Sequence, residues 1–303
     1  MVYLLGFISV SVTLLVCVGS VWAEENYSEL VYPGEDGKLV YTPDEKGNVI
    51  PDFSHCGYMG GGVALPDIPV VMTVEPQAER DDTERLQAAI DKVSERAVGA
   101  NGFRGALLLK RGEYRIDGTL QVRASGVVLR GEGEGEDGTV LIATGTDKRT
   151  LIEFGGRGRS PREMDGTRKA IVDDYVPVGA RAFEVADASG FEIGDQVIVH
   201  RPSTAEWIAA IGMDRIEMPK PTVVQWKPGT YDLKFDRVVV AIDGNEITVD
   251  APMGNAFERE YGGGWIYKYE YLGRIEQVGI ENLRGVSEFD DGEKDRRREG
   301  EFV

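Results

Sequence analysis

Residues 79–142 decide the fold of this chain, and they read ERDDTERLQAAIDKVSERAVGANGFRGALLLKRGEYRIDGTLQVRASGVVLRGEGEGEDGTVLI. Near their start, apolar side chains occupy the i, i+3, i+4, i+7 and i+11 positions of one helix face, and these are Leu86, Ala89, Ile90, Val93 and Ala97. This spacing is the stripe of an amphipathic helix. From residue 106 onward, apolar residues come in short bursts separated by glycine or charged pairs, which predicts short strands and tight turns.

The bursts recur at a nearly constant spacing. Leu108 precedes Val128 by 20 residues, Val128 precedes Leu151 by 23, and Leu120 precedes Leu141 by 21. A repeat of about 20 residues with several strands in each repeat predicts a solenoid of β coils. Because a solenoid has open ends that need a cover, the helix before the first coil is predicted to cap one end.

Five motifs follow one another in this part of the chain: DDT at 81–83, LQAAID at 86–91, GALLL at 105–109, GEYRI at 112–116 and GVVLRG at 126–131. Their order resembles the start of the pectate lyase superfamily, and more closely its rhamnogalacturonase/epimerase-like pectate-lyase domain. The resemblance covers about residues 75–155 and implies an all-β fold, a right-handed parallel β-helix. It implies less about activity, since that family holds lyases, hydrolases, epimerases and non-catalytic fibres.

The remaining segments are assigned from composition and turn signals. Asp243-Gly244 separates two strand-like bursts, which is typical of an antiparallel hairpin. We predict a signal peptide at 1–23, an irregular arm at 24–75, the capping helix and first coils at 76–155, an insertion with a small antiparallel β subdomain at 156–260, and a resumed coil with a charged tail at 261–303. A solenoid needs several stacked coils and a second cap, so we predict that the chain is truncated after this coil.

Residues 1–23 contain no charged side chain and end in Val21-Trp22-Ala23 before two glutamates. A small residue at the cleavage point is typical of a secretory signal peptide, which predicts a secreted or periplasmic protein. No Lys or Arg stands near Met1, and an apolar run of about 20 residues can span a bilayer, so an uncleaved membrane anchor is the alternative.

The net charge of −18 belongs to the mature part of the chain. Such an acidic surface argues against nucleic acid or an anionic membrane as a partner. Residues 133–138 match G-x-G-x-x-G, but a strand follows them where a dinucleotide site needs a helix, so no nucleotide is predicted. A solvated turn is the favoured interpretation of this acidic motif, and a Ca²⁺ site is the alternative. Cys56 is the one cysteine left after signal removal, so no internal disulfide is expected.

Two pairs have the N-cap and N3 spacing of a capping box: Asp81 with Glu84, and Ser203 with Glu206. The first pair explains the acidic start of the capping helix without catalysis. Paired catalytic carboxylates at Asp81 and Asp82 are the disfavoured alternative, since neighbouring residues at a helix start point in different directions.

In the arm, Asp52, His55 and Tyr58 are polar groups that a site could use, although a segment wrapped along the solenoid explains them as well. A basic cluster interrupts the ladder, and it consists of Arg157, Arg159, Arg162, Arg168 and Lys169. Arginine suits the carboxylates of a polyanionic sugar, and an insertion loop is the simpler interpretation.

The best candidate for a saccharide-facing edge is the stretch from 199 to 214 together with a later tryptophan. Its predicted substrate-binding residues are His200, Arg201, Glu206, Trp207, Asp214 and Trp226. Sugar rings stack on indoles while charged groups hold hydroxyls and carboxylates. The alternative is that Trp207, at helical spacing from its apolar neighbours, packs on a core.

The hypothesis from sequence is a monomeric protein that acts on an acidic polysaccharide. β-Elimination is ranked first; it needs Ca²⁺ or Arg/Lys to neutralise the uronate and a base to remove the adjacent proton. Hydrolysis, which needs two carboxylates, and a non-catalytic carbohydrate-binding or cell-surface role are the alternatives. No catalytic residue is assigned, because the middle coils that carry them in β-helix enzymes of this kind are not recognisable here.

Overall fold

The structure is a computed structural model that describes residues 28–77, 80–146, 148–156, 160–217 and 224–289. The predicted signal peptide lies outside the described residues, as does the predicted tail from 290 onward. Within the described ranges, no helix has the length and apolar character needed to cross a membrane.

These ranges are mostly β-structure with few helices. The strands are β1 Val31–Pro33, β2 Leu39–Tyr41, β3 Val70–Val74, β4 Gly105–Leu109, β5 Gly112–Ile116, β6 Leu120–Val122, β7 Val127–Arg130, β8 Thr139–Ala143, β9 Ile152–Phe154, β10 Arg162–Glu163, β11 Lys169–Ala170, β12 Tyr175–Val176, β13 Ala182–Glu184, β14 Gln196–Arg201, β15 Leu233–Asp243, β16 Glu246–Val249, β17 Phe257–Glu258, β18 Trp265–Glu270, β19 Gly279–Glu281 and β20 Arg284–Ser287. The α-helices are α1 Thr83–Ser94 and α2 Ala205–Ala210.

Three parallel sheets receive strands from successive passes of the chain. The first contains β3, β4, β7 and β19, the second β5, β8 and β20, and the third β6 and β9. The chain therefore visits the sheets in one order twice, through β4, β5 and β6 and then through β7, β8 and β9. β3, inside the predicted arm, already belongs to the first sheet, so the arm ends earlier than predicted.

The predicted ladders are wrong in register. Leu108 pairs with Arg130 rather than with Val128, whose partner is Ala106. Leu120 pairs with Ile152. The bursts at 107–109 and 127–129 each hold three consecutive apolar residues, and a spacing of 20 does not tell which residue of one burst pairs with which residue of the next.

The passes also differ in length, which explains why one period does not fit them all. From β4 to β7, Gly105 pairs with Val127, 22 residues on, whereas from β5 to β8, Gly112 pairs with Thr139, 27 residues on. The extra residues include a tight turn at 133–138, closed by bonds from Thr139 N to Gly133 O and from Gly138 N to Gly135 O, both 3.0 Å.

The three sheets and α1 share one apolar core. Its fully buried members include Leu86, Ile90, Val93, Leu107, Leu109, Tyr114, Ile116, Leu120, Val122, Leu129 and Leu141. The helix stripe is confirmed through Val93, while α1 ends at Ser94, before Ala97. Burial of this stripe orders the helix, because a 12-residue helix is marginal in isolation.

The start of α1 differs from the predicted capping box. Asp82, not Asp81, holds the N-cap position, and its side chain makes no cap hydrogen bond but an ion pair with Arg85. Asp81 Oδ1 accepts hydrogen bonds from Thr83 N at 3.0 Å and from Asp117 N at 3.1 Å. Asp81 therefore fastens the helix start to the turn after β5, while Asp82 pairs with Arg85 within the helix and Glu84 takes no part.

The insertion is an antiparallel sheet in the order β10-β18-β14-β15-β16-β13, with β11 also paired to β18. The hairpin of β15 and β16 closes between Asp243 and Glu246 with Gly244 at φ 60°, as its turn residues predict. Its separate core includes Phe183, Val197, Val199, Val239, Ile247, Val249, Met253, Phe257 and Ile266. The predicted boundary at 260 is too early, because β18 belongs to this sheet and parallel pairing resumes only at Gly279.

Removing the buried side chain of Leu129 tests the shared core. Leu129 is 1% exposed, and we expect Leu129→Ala to lower the free energy of unfolding by about 2–5 kcal/mol, measured by urea denaturation. Leu272→Ala is the matched control; Leu272 is 95% exposed and should change stability by less than about 0.5 kcal/mol. Equal losses in both variants would contradict a core built on β7.

Candidate functional site

Two of the six predicted site residues, His200 and Arg201, lie on opposite faces of one strand. His200 and Arg201 are neighbours at the end of β14, and side chains alternate between the faces of a strand. His200 pairs with Trp265 of β18 and Lys234 of β15, while Arg201 pairs with Leu233. The six residues therefore do not form a single site.

Arg201 lies on the face that carries the insertion core. It is 2% exposed, its Nε donates to the Ala256 carbonyl at 2.8 Å, and Nη2 lies 3.6 Å from Glu258 Oε2. Burial lowers the pKa of Arg201, and the Glu258 carboxylate opposes that shift. Its guanidinium lies over the Trp207 ring, 4.6 Å from the centroid, which is a cation–π arrangement.

Three rings continue from this arginine toward solvent, and we call Trp207, Trp226 and Tyr231 the aromatic cluster. Trp207 and Trp226 lie 6.1 Å apart between centroids, and Trp226 stacks on Tyr231 at 3.8 Å with an interplanar angle of 21°. The two tryptophans are half-buried and Tyr231 is 41% exposed. The cluster thus offers a surface of aromatic rings above a buried cation.

The local fold positions Trp207 through a cap that differs from the predicted one. Thr204, not Ser203, is the N-cap of α2, and its Oγ1 accepts from Trp207 N at 3.2 Å. Gly212 follows the helix in the left-handed region, at φ 72°, where glycine is favoured at a helix end.

In the described structure, two of the predicted site residues, Glu206 and Asp214, take no part in the ring contacts of the aromatic cluster. Glu206 is exposed in the first turn of α2. Asp214 is exposed, and its Oδ1 lies 3.8 Å from Arg215 Nη1. The spacing of these residues in the sequence did not predict that both carboxylates face solvent.

His200 is held on the other face by a carboxylate. It is 5% exposed, and its Nε2 lies 2.8 Å from Asp232 Oδ2, while Asp232 Oδ1 accepts from Ser203 N at 2.8 Å and Ser203 Oγ at 2.9 Å. Serine and histidine thus bond the same carboxylate, and the imidazole does not activate Ser203 as a nucleophile would require. Burial lowers the pKa of His200, opposed by Asp232. Burial raises the pKa of Asp232, but hydrogen bonds from Ser203 and His200 outweigh this and lower it overall.

A row of aromatic side chains beside His200 was not predicted as a site. Trp265, Tyr267, Tyr269 and Tyr271 alternate along and just after β18, and we call them the aromatic strip. The sequence WIYKYEY at 265–271 could have predicted this row, because aromatic residues at every second position of a strand lie on the same face.

The basic cluster disperses in the structure. Arg168 lies over the strip, 4.8 Å from the Trp265 centroid. Arg162 Nη2 lies 3.2 Å from Glu270, and Lys169 Nζ lies 2.5 Å from Asp187. Arg157 and Arg159 lie outside the described residues.

The polar groups of the arm fasten it rather than converge on a site. Asp52 Oδ1 accepts from Ser54 N at 2.9 Å and from Tyr41 Oη at 3.2 Å, and His55 lies 3.6 Å from Asp52. Tyr58 Oη donates to Gln277 Oε1 at 2.8 Å, which links the arm to the chain just before β19. Cys56 is a free, exposed thiol.

The described part of the chain contains no group of three or more His, Cys, Asp or Glu side chains that would hold a metal ion. This includes residues 133–138, where Glu136 lies 3.8 Å from Arg284 instead. The Ca²⁺ alternative therefore lacks a donor set among these residues.

Comparison with known proteins gives no family. No protein-family model and no curated protein matches the sequence. The pectate-lyase resemblance therefore stays a prediction.

Among solved structures, the chain is similar to three phage tailspike proteins. For the Gp54 tailspike of Acinetobacter baumannii bacteriophage AP22, in complex with A. baumannii capsular saccharide, identity is 17%, coverage 70% of this chain and the TM-score 0.37. The tailspike gp61 of Pseudomonas phage phi297 is 17% identical, with 67% of this chain covered and a TM-score of 0.36. The tailspike gp49 of Pseudomonas phage LKA1 is 15% identical, with 68% of this chain covered and a TM-score of 0.37. This chain spans 27% of the length of each. Function is therefore inferred from the residues of the chain itself.

The buried histidine makes stability depend on pH. Because the folded pKa of His200 lies below its ordinary value of 6.5, the unfolded chain binds more protons than the folded chain as pH falls through this value. Stability should therefore decrease on acidification below about pH 6.5 and level off below the folded pKa.

Urea denaturation between pH 5 and 8 measures this, and His200→Gln should flatten the dependence. His55→Gln is the matched control, since it removes the other imidazole and leaves the Asp232 contact in place. A wild-type curve as flat as that of His200→Gln would contradict the assignment.

Proposed function

We propose that the three parallel sheets are coils of a right-handed parallel β-helix. The supporting observation is the recurrence of the same three strand positions, with Leu107 paired to Leu129 and Tyr114 to Leu141 from one pass to the next. We propose further that the protein is monomeric and secreted or periplasmic through residues 1–23.

The function we propose is binding of an acidic polysaccharide by the inserted sheet at the aromatic cluster. The observation that carries this proposal is the series of rings from half-buried Trp207 to exposed Tyr231, with Arg201 beneath it. The apolar faces of sugar rings stack on aromatic side chains. The buried charge of Arg201, 3.6 Å from its nearest carboxylate oxygen, favours saccharides that carry carboxylates over neutral ones.

β-Elimination is the second candidate function. It is favoured over hydrolysis because the cluster lies against a cation, Arg201, whereas hydrolysis requires two carboxylates across the scissile bond. Among the carboxylates near the cluster in sequence, Glu206 and Asp214 are exposed, the second beside Arg215, and Asp232 is bonded to His200 and Ser203. His200 is the nearest imidazole, but it is buried and bonded to Asp232, so we assign no catalytic base.

Truncating a ring of the cluster tests binding. We expect Trp226→Ala and Tyr231→Ala each to weaken binding of oligogalacturonate or oligoalginate about 3- to 10-fold by calorimetry, the loss expected for one aromatic contact. Tyr32→Ala is the matched control for Tyr231, because Tyr32 is 38% exposed on the hairpin of β1 and β2, outside the inserted sheet. Unchanged affinity in both cluster variants, or an equal loss in Tyr32→Ala, would reject the cluster as the site.

Absorbance distinguishes the proposed reactions. Elimination produces an unsaturated uronate that absorbs near about 235 nm, because proton abstraction leaves a double bond beside the carboxylate. Incubation with pectin, alginate and sulfated polysaccharides should raise this absorbance if elimination is correct. New reducing ends without absorbance would favour hydrolysis, and binding without either would leave recognition as the function.

A further inference from the structure

The aromatic strip lies on the second face of the inserted sheet, where Tyr267 and Tyr269 are buried and Trp265 and Tyr271 are half-buried. Its four rings stand at alternate positions from Trp265 to Tyr271, so they extend over about 20 Å at the usual rise of a strand. Ile198 packs with Tyr267 and Tyr269 at its centre. This face is opposite to that of Arg201, so the strip is separate from the aromatic cluster.

Two matching units stand along the strip, each an arginine placed over two rings. Arg168 Cζ lies 4.8 Å from the Trp265 centroid and 5.4 Å from that of Tyr267. Arg274 Cζ lies 5.6 Å from the Tyr269 centroid and 5.5 Å from that of Tyr271. The ring pairs are four residues apart along the chain, or about 13 Å.

A carboxylate binds each arginine through its Nη2 group, in Arg168 also through Nε, and leaves the Nη1 group without a partner among the described residues. Arg168 Nε donates to Glu163 Oε1 at 2.8 Å and Nη2 contacts Oε2, while Arg274 Nη2 contacts Asp236 and donates to Tyr269 Oη at 2.8 Å. In the described structure the Nη1 group of neither arginine has a hydrogen-bond partner. Each guanidinium is therefore held in a fixed position while its Nη1 group can still donate hydrogen bonds. This preorganisation favours recognition of a carboxylate.

Unsatisfied polar atoms mark the Trp265 end of the strip. His200 Nδ1 and Trp265 Nε1 are both buried without a hydrogen-bond partner, and the two rings are 4.5 Å apart between centroids. With Nε2–H bonded to Asp232, Nδ1 of the neutral imidazole is an acceptor, whereas the indole N–H is a donor. A hydroxyl group, which both donates and accepts, is complementary to this pair.

We propose that the aromatic strip is a second binding surface for an acidic saccharide, in which Arg168 and Arg274 hold two carboxylates and the His200–Trp265 end receives a hydroxyl. It shares its ligand class with the proposed function but uses different residues on the opposite face of β14. A saccharide long enough to reach both arginines gains two charge-assisted contacts, whereas a single uronate gains one.

The double variant Arg168→Gln/Arg274→Gln tests the strip. Binding of oligogalacturonates, oligoalginates and oligohyaluronates of increasing length is measured by calorimetry, with dextran oligosaccharides as the neutral comparison. We expect the wild type to gain affinity with length and the double variant to bind the long acidic probes at least about 10-fold more weakly, since two charge-assisted hydrogen bonds are lost. Each single variant should lose the dependence on length.

Arg162→Gln is the matched control, because it removes one positive charge from β10 at an arginine that lies over no ring of the strip. It should bind within about twofold of the wild type, as an exposed ion pair contributes little. An equal loss in this control would overturn the proposal in favour of a net-charge effect. Thermal denaturation of every variant verifies that the sheet is folded, and Arg168→Lys/Arg274→Lys, which keeps the charge, should fall between the wild type and the double variant.

A fluorescence measurement separates the two surfaces. In Trp207→Phe/Trp226→Phe, Trp265 is the indole that remains in the described chain, and acidic oligosaccharide should change its emission. Loss of all binding in this background, with full binding in the arginine double variant, would overturn the strip and leave the cluster as the site. Binding lost only in the arginine variant would support the strip and reject the cluster. Failure of every acidic probe to bind the wild type would overturn both.

Discussion

The return of the chain to β7 is the constraint on which the rest of the structure depends. β19, which follows the insertion in the chain, pairs in parallel with β7, and Gly279 lies beside Val128. Gly126 N donates to Glu276 O and Gly131 N donates to Glu281 O, both at 2.9 Å, and Arg130 Nε lies 2.5 Å from Glu281 Oε1. The antiparallel sheet is thereby joined at both ends to one pass of the parallel sheets.

The two sheet systems bury their apolar residues separately. The parallel sheets enclose one core with α1, and the insertion builds a second around Val199, Phe257 and Ile266. An insertion with its own core can vary its surface without changing the register of the parallel strands. The aromatic cluster and the aromatic strip both lie on the insertion, whereas polar groups of the parallel part fasten turns and the start of α1.

The inserted sheet buries two polar side chains at the end of β14. Arg201 and His200 are both buried at the end of β14, and each needs a partner because desolvation disfavours a charged or unbonded polar group. Glu258 and Asp232 supply those partners only in part, since Arg201 Nη1 and His200 Nδ1 remain without hydrogen bonds in the described structure. Unsatisfied atoms on both faces of one strand are costly to folding, and they occur where the aromatic side chains are densest.

Features that depend on local periodicity could be predicted from the sequence alone. The stripe of Leu86, Ile90 and Val93 determined α1, and Asp243-Gly244 determined a hairpin, because both follow from the geometry of one segment. The pairing of Leu108 with Arg130, the stacking of Trp226 on Tyr231 and the placement of Arg168 over Trp265 became visible only in the folded chain. The period of a strand predicts which of its side chains share a face, but it does not predict which segment of the chain packs against that face.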